Sequence, residues 1–88
     1  MDKRVLAEKL GALVQRLRLE RGFSQDAFAH ACSLERAHVG KIERGEVNVT
    51  VATTLKLVRG LGLSLPAFFS ELEKELNGIE EENSGSSR

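Results

Sequence analysis

The stretch FSQDAFAHACSLERAHVGKIERG, residues 23–45, has the pattern of two short helices separated by a tight turn. Ser24 has the side chain that an N-cap requires, and Asp26 adds a negative charge to the first helical turn. A break near Ser33 ends this helix after about two turns, and a second helix follows over about 35–44 until a glycine stops it. Two short helices joined by three or four residues have the spacing of a helix-turn-helix motif.

The outward face of the second helix of this pair combines basic residues with residues that have small side chains. Five residues lie on it at helical spacing: Arg36, Ala37, Gly40, Lys41 and Arg44. Arginine and lysine can donate to guanine O6 and N7, alanine can contact a thymine methyl, and small side chains let the helix lie deep in the major groove. The residues alone leave DNA recognition and an ordinary solvated helix face equally open.

An acidic residue near the end of this helix needs a partner if the helix is to face phosphates. Glu43 follows Ile42 on a partly inward face, and we expect it to pair with Arg18 of the first helix. Such a pair fixes geometry more surely than it adds stability.

The remaining apolar residues recur at helical spacing and predict an all-α fold of five short helices. The first helix has one apolar stripe of Leu6, Leu10, Leu13 and Leu17. The fourth is expected to start after Thr50 and to bury Val51, Leu55 and Val58. The fifth is capped by Ser64, ends at Asn77 and Gly78, and presents Leu65, Phe68, Phe69, Leu72 and Leu76.

The charge distribution divides the 88-residue chain, although its 13 basic and 13 acidic residues cancel. Residues 1–66 hold 11 basic and 7 acidic side chains, whereas residues 67–88 hold 2 and 6. We therefore expect a DNA-binding and dimerisation domain over 1–77, and an acidic, Ser/Gly-rich disordered tail over 78–88. The basic domain permits a polyanionic partner without requiring one.

Several classes of protein are excluded by composition. Cys32 is the single cysteine, so an internal disulfide and a zinc-type Cys/His cluster are both ruled out. His30, Cys32 and His38 form no plausible catalytic dyad, and GLGLSL lacks the third glycine of a phosphate-binding loop. No run of 18 apolar residues occurs. We expect a cytoplasmic, non-enzymatic protein without cofactor, metal, membrane contact or small-molecule ligand.

The apolar fifth helix predicts a homodimer. A small domain cannot hide all five of its apolar residues internally, and oligomerisation is a common remedy in chains of this size. We expect one phenylalanine of the Phe68–Phe69 pair in the core and the other at the dimer interface.

Residues 10–69 of the chain resemble the phage-repressor-like (XRE-type) helix-turn-helix family. The segments that carry this resemblance are RLRLERGFSQDAFA, at the junction of the first two helices, and HVGKIERG, at the end of the recognition helix. The compact length, IERGEVNVT and the Phe-Phe pair also resemble restriction-modification controller proteins, which are short dimeric regulators. The resemblance implies a compact five-helix fold and sequence-specific regulation of transcription.

The resemblance also implies roles for individual residues. Base reading falls on Arg36, Ala37 and Lys41, with Glu35 and His38 at the edge of the groove. Contacts with the DNA backbone fall on Ser24, Gln25, Arg44, Asn48 and Thr50, and Gln25 also braces the recognition helix. The family contains a counterpart of the Arg18–Glu43 pair. Ser33 and Glu35 depart from the usual pattern, which leaves the role of Glu35 open.

Two functions from different classes therefore compete. The first is a homodimeric regulator that binds a palindromic double-stranded DNA operator, with half-sites about 34 Å apart. The second is an antitoxin or adaptor that docks a protein on its apolar fifth helix. The transcription machinery and a cognate toxin remain open as further partners.

Overall fold

The computed structural model describes the backbone of residues 1–84 and the side chains of residues 1–78. This part of the chain contains five α-helices and no strand, which confirms the all-α prediction. None of these helices is long and apolar enough to cross a bilayer. Their bounds are α1 Lys3–Glu20, α2 Gln25–Cys32, α3 Arg36–Glu43, α4 Val51–Gly60 and α5 Leu65–Ser84.

The core lies where α1 and α2 meet the other helices. Helix α1 packs against α3 and α5, while α2 packs against α3 and α4. Phe28 of α2 and Phe68 of α5 are fully buried at its centre, and Leu13 and Val14 of α1 pack beside them. Burial of such large apolar side chains is the main favourable contribution to folding. Because α3 shares this core with α1 and α2, its outward face has a fixed orientation.

Hydroxyl side chains begin three helices where the sequence predicts them. The Oγ atom of Ser24 accepts from the backbone N–H of Ala27 at 3.1 Å, and Thr50 Oγ1 accepts from Thr53 N at 3.1 Å. Ser64 caps α5 in the same way. Each cap satisfies a backbone donor that has no partner within its helix.

The predicted buried stripe of α4 is wrong at its first position. Val51 is 78% exposed, whereas Leu57 and Val58 are buried at 0% and 3%. An α-helix of 3.6 residues per turn presents two adjacent apolar stripes here. Val58 of the predicted stripe faces the core together with Leu57, Leu55 is half-buried, and only Val51, the first residue of α4, faces outward.

The predicted end of α5 at Asn77 and Gly78 is also wrong. The helix continues to Ser84, and Gly78 does not adopt the positive φ of a helix-terminating glycine. The residues after Gly78 include three glutamates, which favour helix, and no proline. The predicted disordered tail is thus helical up to Ser84, and its last residues, 85–88, lie outside the described residues.

Candidate nucleic-acid interface

Helices α2 and α3 are joined by a three-residue turn, 33–35. Ser33 lies in the left-handed region, with φ 57° and ψ 42°, and reverses the chain direction. The N–H of Leu34 donates to Ala29 O at 2.9 Å and closes the turn. Glu35 occupies the N-cap of α3 without a side-chain capping bond, so its carboxylate stays exposed. This geometry is that of a helix-turn-helix with α3 as the second helix.

A buried polar network fixes α3 against α1 and α2. Arg18 Nε donates to Glu43 Oε2 at 2.6 Å, and Arg18 Nη2 donates to Glu43 Oε1 at 3.1 Å. Gln25 Nε2 donates to the same Oε1 at 2.9 Å, while Arg18 Nη1 donates to Phe23 O at 2.8 Å. The structure therefore contains the predicted Arg18–Glu43 pair and the bracing contact of Gln25. The Glu43 side chain is only 2% exposed, so its charge does not face solvent.

The outward face of α3 retains its basic residues. Arg36, Ala37 and Lys41 are exposed beside one another, and His38 is half-buried. Gly40, expected on the open face, is buried, because the guanidinium of Arg44 lies over it. A Cβ on Gly40 would come 3.1 Å from Arg44 Nη1.

Two carboxylates contact the exposed arginines at either end of α3. Arg36 Nε lies 3.1 Å from Asp26 Oδ1, and Arg44 Nε donates to Glu46 Oε2 at 2.7 Å. The hydrogen bond from Arg44 lowers the pKa of Glu46 and raises that of Arg44. The contact of Asp26 with Arg36 was missed by sequence reasoning, because the two residues are ten positions apart on different helices.

Two of the predicted backbone contacts, Asn48 and Thr50, lie in the loop between α3 and α4. Asn48 is exposed there, and it lines a surface cleft together with Lys3 and Arg4 of α1. The hydroxyl of Thr50 bonds Thr53 as part of its cap. The position of Lys3 and Arg4 could not be predicted, since nothing in the helical pattern places the start of α1 beside this loop.

An apolar groove opens on another side of the domain. It has a volume of about 270 Å³ and is lined by residues of α1, α4, α5 and the loop between α3 and α4. These residues are Leu6, Leu10, Val49, Val51, Thr54, Leu55, Leu65, Phe69 and Leu72. Phe69 is 47% exposed and Val51 78%, an unusual exposure for such large apolar side chains in one place.

The predicted interface set on α5 requires correction at two positions. Phe68 is fully buried, and Leu72 is only 9% exposed, because both point into the domain core. Phe68 is the core phenylalanine of the predicted pair, and Phe69 is exposed, so its place at a dimer interface stays a prediction. Leu65 is 40% exposed, and Leu76 is half-buried against the core.

Comparison with known proteins assigns the class of the chain. The helix-turn-helix domain family matches residues 9–68, so the chain belongs to this family. The family resemblance found in the sequence is thereby confirmed, and the chain is a DNA-binding regulator.

Individual relatives narrow the comparison. The chain is 37% identical to control protein C.MunI of Mycoplasma sp over 68 residues, which cover 76% of this chain and 92% of that protein. It is 38% identical over 65 residues to the HTH-type transcriptional regulator SutR of Escherichia coli K12, covering 74% of this chain and 36% of SutR. The chain thus matches nearly the whole of C.MunI but about a third of SutR.

Solved structures include the restriction-modification controller protein C.Esp1396I. Its wild-type structure superposes with a TM-score of 0.79 at 32% identity, covering 83% of this chain and 95% of that chain. C.Esp1396I has also been solved as a tetramer in complex with its natural 35 base-pair operator, with a TM-score of 0.76, 33% identity and coverage of 80% and 92%.

Proposed function

We propose that the chain is a homodimeric, sequence-specific transcriptional regulator of the controller type, which acts in the cytoplasm on a two-fold symmetric operator without any catalytic step. The observation that carries this proposal is the exposed basic face of α3, held by the buried network of Arg18, Gln25 and Glu43. A recognition helix needs both a donor-rich face and a fixed orientation, because misplaced donors lose base discrimination.

In this proposal α3 lies in the major groove and reads base edges with Arg36, Ala37 and Lys41. Arg36 is positioned for guanine, and Ala37 offers a methyl to thymine. Glu35 and His38 lie at the edge of this surface and contact either a base or the backbone.

The DNA backbone is held from both ends of the motif. Gln25 uses one amide hydrogen on Glu43 and has a second to donate to phosphate. Ser24 keeps its hydroxyl hydrogen, since its Oγ acts as acceptor in the cap. Arg44, Asn48 and Thr50 supply donors from the other end, where Arg44 exchanges Glu46, and the hydroxyl hydrogen of Thr50 exchanges Thr53 Oγ1, for phosphate.

Duplex binding tests the function itself. We expect labelled duplex to be bound at low salt, with affinity falling steeply as salt rises because counterions are released from DNA. Fluorescence anisotropy over a salt series measures this dependence, and selection from random duplex yields the operator. Absence of duplex binding at low salt would overturn the proposal in favour of an interaction module.

Arg36→Ala tests base reading. We expect the substitution to cost about 1–3 kcal/mol on the selected operator, because a bidentate contact with guanine is lost, and to change binding to a scrambled duplex little. Anisotropy titrations on both duplexes measure the two effects. Equal losses on both would make Arg36 a phosphate contact instead.

The homodimer forms, in this proposal, through the apolar groove. A second copy would cover the exposed side chains of Val51, Leu65 and Phe69 and bring two recognition helices to successive turns of DNA. The groove also includes Leu6 of α1 and Leu55 of α4, so the proposed interface is wider than α5 alone.

Phe69→Asp tests this interface. We expect a monomer at micromolar concentrations and operator binding weakened at least about tenfold, because a charge would be buried in an apolar contact and the half-sites would be bound independently. Sedimentation equilibrium gives the oligomeric state and circular dichroism the fold. Asn77→Asp is the matched control: it adds the same charge to α5 outside the groove and should leave a dimer. A dimeric Phe69→Asp protein would place the interface elsewhere.

A further inference from the structure

The contact between Asp26 and Arg36 involves a specific part of the guanidinium. Asp26 Oδ1 lies 3.1 Å from the inner nitrogen of Arg36, Nε, as an exposed ion pair. An arginine carries five N–H donors in a planar fork, and four of them are on the terminal nitrogens Nη1 and Nη2. The shortest approach of the carboxylate is therefore to the side of the guanidinium rather than to its terminal fork.

Both side chains extend from fixed backbone, Asp26 at the start of α2 and Arg36 at the start of α3. Asp26 is in the first turn of α2. Ser24 caps this turn, because its Oγ accepts from Ala27 N and its carbonyl oxygen accepts from Phe28 N at 2.9 Å. Arg36 is the first residue of α3, behind an N-cap whose carbonyl accepts from Val39 N at 3.1 Å. The ion pair thus spans the turn between two rigid helices.

An unrestrained arginine at this position would sample many rotamers, since its side chain is 65% exposed. Ordering such a side chain on binding costs entropy, and a partner that orders it beforehand reduces this cost. The two terminal nitrogens can make the bidentate contact with guanine O6 and N7 when the guanidinium lies in the plane of the base.

We propose that Asp26 is a positioning residue for base recognition, which orients the terminal fork of Arg36 toward guanine. This inference rests on the proposed reading role of Arg36 and extends it to a residue on α2. Asp26 touches no base; it acts through the side chain that does.

The sign of the effect separates this role from simple electrostatics. A carboxylate close to DNA repels phosphate, so its removal should strengthen binding to every duplex if charge alone mattered. A positioning role predicts the opposite on the operator, where the ordered arginine is used. Only the scrambled duplex should gain from the lost negative charge.

The experiment compares wild type, Asp26→Ala, Arg36→Ala and the double variant on the selected operator and on a scrambled duplex of equal length. We expect Asp26→Ala to weaken operator binding about threefold to tenfold, the range for ordering one long side chain, and to leave scrambled binding unchanged or stronger. In the Arg36→Ala background the same substitution should no longer weaken operator binding. The matched control is Glu71→Gln. It removes from α5 a carboxylate that is paired with Arg16 of α1, and it should affect binding to both duplexes alike.

A second readout follows the guanine atom itself. Operators in which each guanine is replaced in turn by 7-deazaguanine lack the N7 acceptor at one position. For wild type one replacement should cause the largest loss, and in Asp26→Ala that loss should shrink. Partial unfolding of a variant would lower its binding to all duplexes in proportion. The ratio of its affinities for the normal operator and the 7-deazaguanine operator would then be unchanged.

Each outcome decides the matter. The positioning role is overturned if Asp26→Ala strengthens binding to both duplexes. It is also overturned if Asp26→Ala weakens operator binding equally with and without Arg36. If Arg36→Ala then still loses the operator selectively, the proposed function stands without it. If Arg36→Ala loses both duplexes equally, base reading by Arg36 and positioning by Asp26 fail together.

Discussion

Replacing Arg18 with methionine is expected to lower the free energy of unfolding by about 3–5 kcal/mol, the cost of removing one partner from a buried ion pair. The side chains of Arg18 and Glu43 are 8% and 2% exposed, so the carboxylate left behind cannot be solvated by water. Gln25 donates one hydrogen bond to it, which does not neutralise the charge. Methionine keeps most of the arginine volume, and the loss therefore reports the charge rather than a cavity.

Urea unfolding followed by circular dichroism, at one protein concentration for all variants, measures this change. Arg16→Met is the matched control on the same helix. Its pairs with Glu20 and Glu71 are exposed, and their loss should cost less than about 1 kcal/mol. If the two substitutions destabilise the domain equally, the buried pair has no special role.

The double variant Arg18→Met with Glu43→Leu separates stability from positioning. We expect it to recover much of the lost stability, because no unpaired charge remains and apolar residues can pack in the site. Operator affinity should be lower than in wild type despite this recovery, since Gln25 then has no carboxylate on α3 to bind. Recovery of operator binding together with stability would show that packing alone orients α3.

Sequence reasoning succeeded where the signal is local. Caps such as Ser24 act on their own backbone three residues away, and the pairing of Glu43 with Arg18 follows because a buried carboxylate needs a cation. The helix-turn-helix itself depends on the same local rules, because turn residues and helix starts fix its spacing.

It failed where the choice depends on which neighbours are present. Val51 and Leu57 are both apolar residues of α4, and packing against α2 and α5 decides which of them is buried. Likewise, Phe68 and Phe69 are equivalent in sequence, yet one is fully buried and the other lines the groove. The end of α5 was placed at Gly78 because glycine often stops helices, whereas this glycine retains helical backbone.

The same limit applies to Gly11, which no local pattern distinguishes from other helical glycines. It lies where α1 crosses the C-terminal end of α3. A Cβ at this position would collide with the backbone carbonyl of Ile42 and would lie 2.9 Å from the carbonyl oxygen of Glu43. Backbone atoms cannot swing aside as a flexible side chain can, so the two helices would have to separate.

Gly11→Ala is therefore expected to lower the free energy of unfolding by about 2–3 kcal/mol, the upper part of the usual cost of overpacking. This loss occurs although alanine is favoured over glycine within a helix by about 1 kcal/mol. Gly78→Ala is the matched control, because among the described residues no atom beyond the adjoining helix backbone lies within 4 Å of its Cβ position, and it should stabilise the protein. Urea unfolding of both variants measures the opposite signs, and anisotropy at a temperature where both are folded measures operator binding. Since the displaced atoms belong to the last turn of α3, Gly11→Ala should also weaken the operator more than the scrambled duplex. Wild-type stability in Gly11→Ala would mean that α1 and α3 can separate freely, and the orientation of the recognition helix would then depend on the Arg18–Glu43–Gln25 network alone.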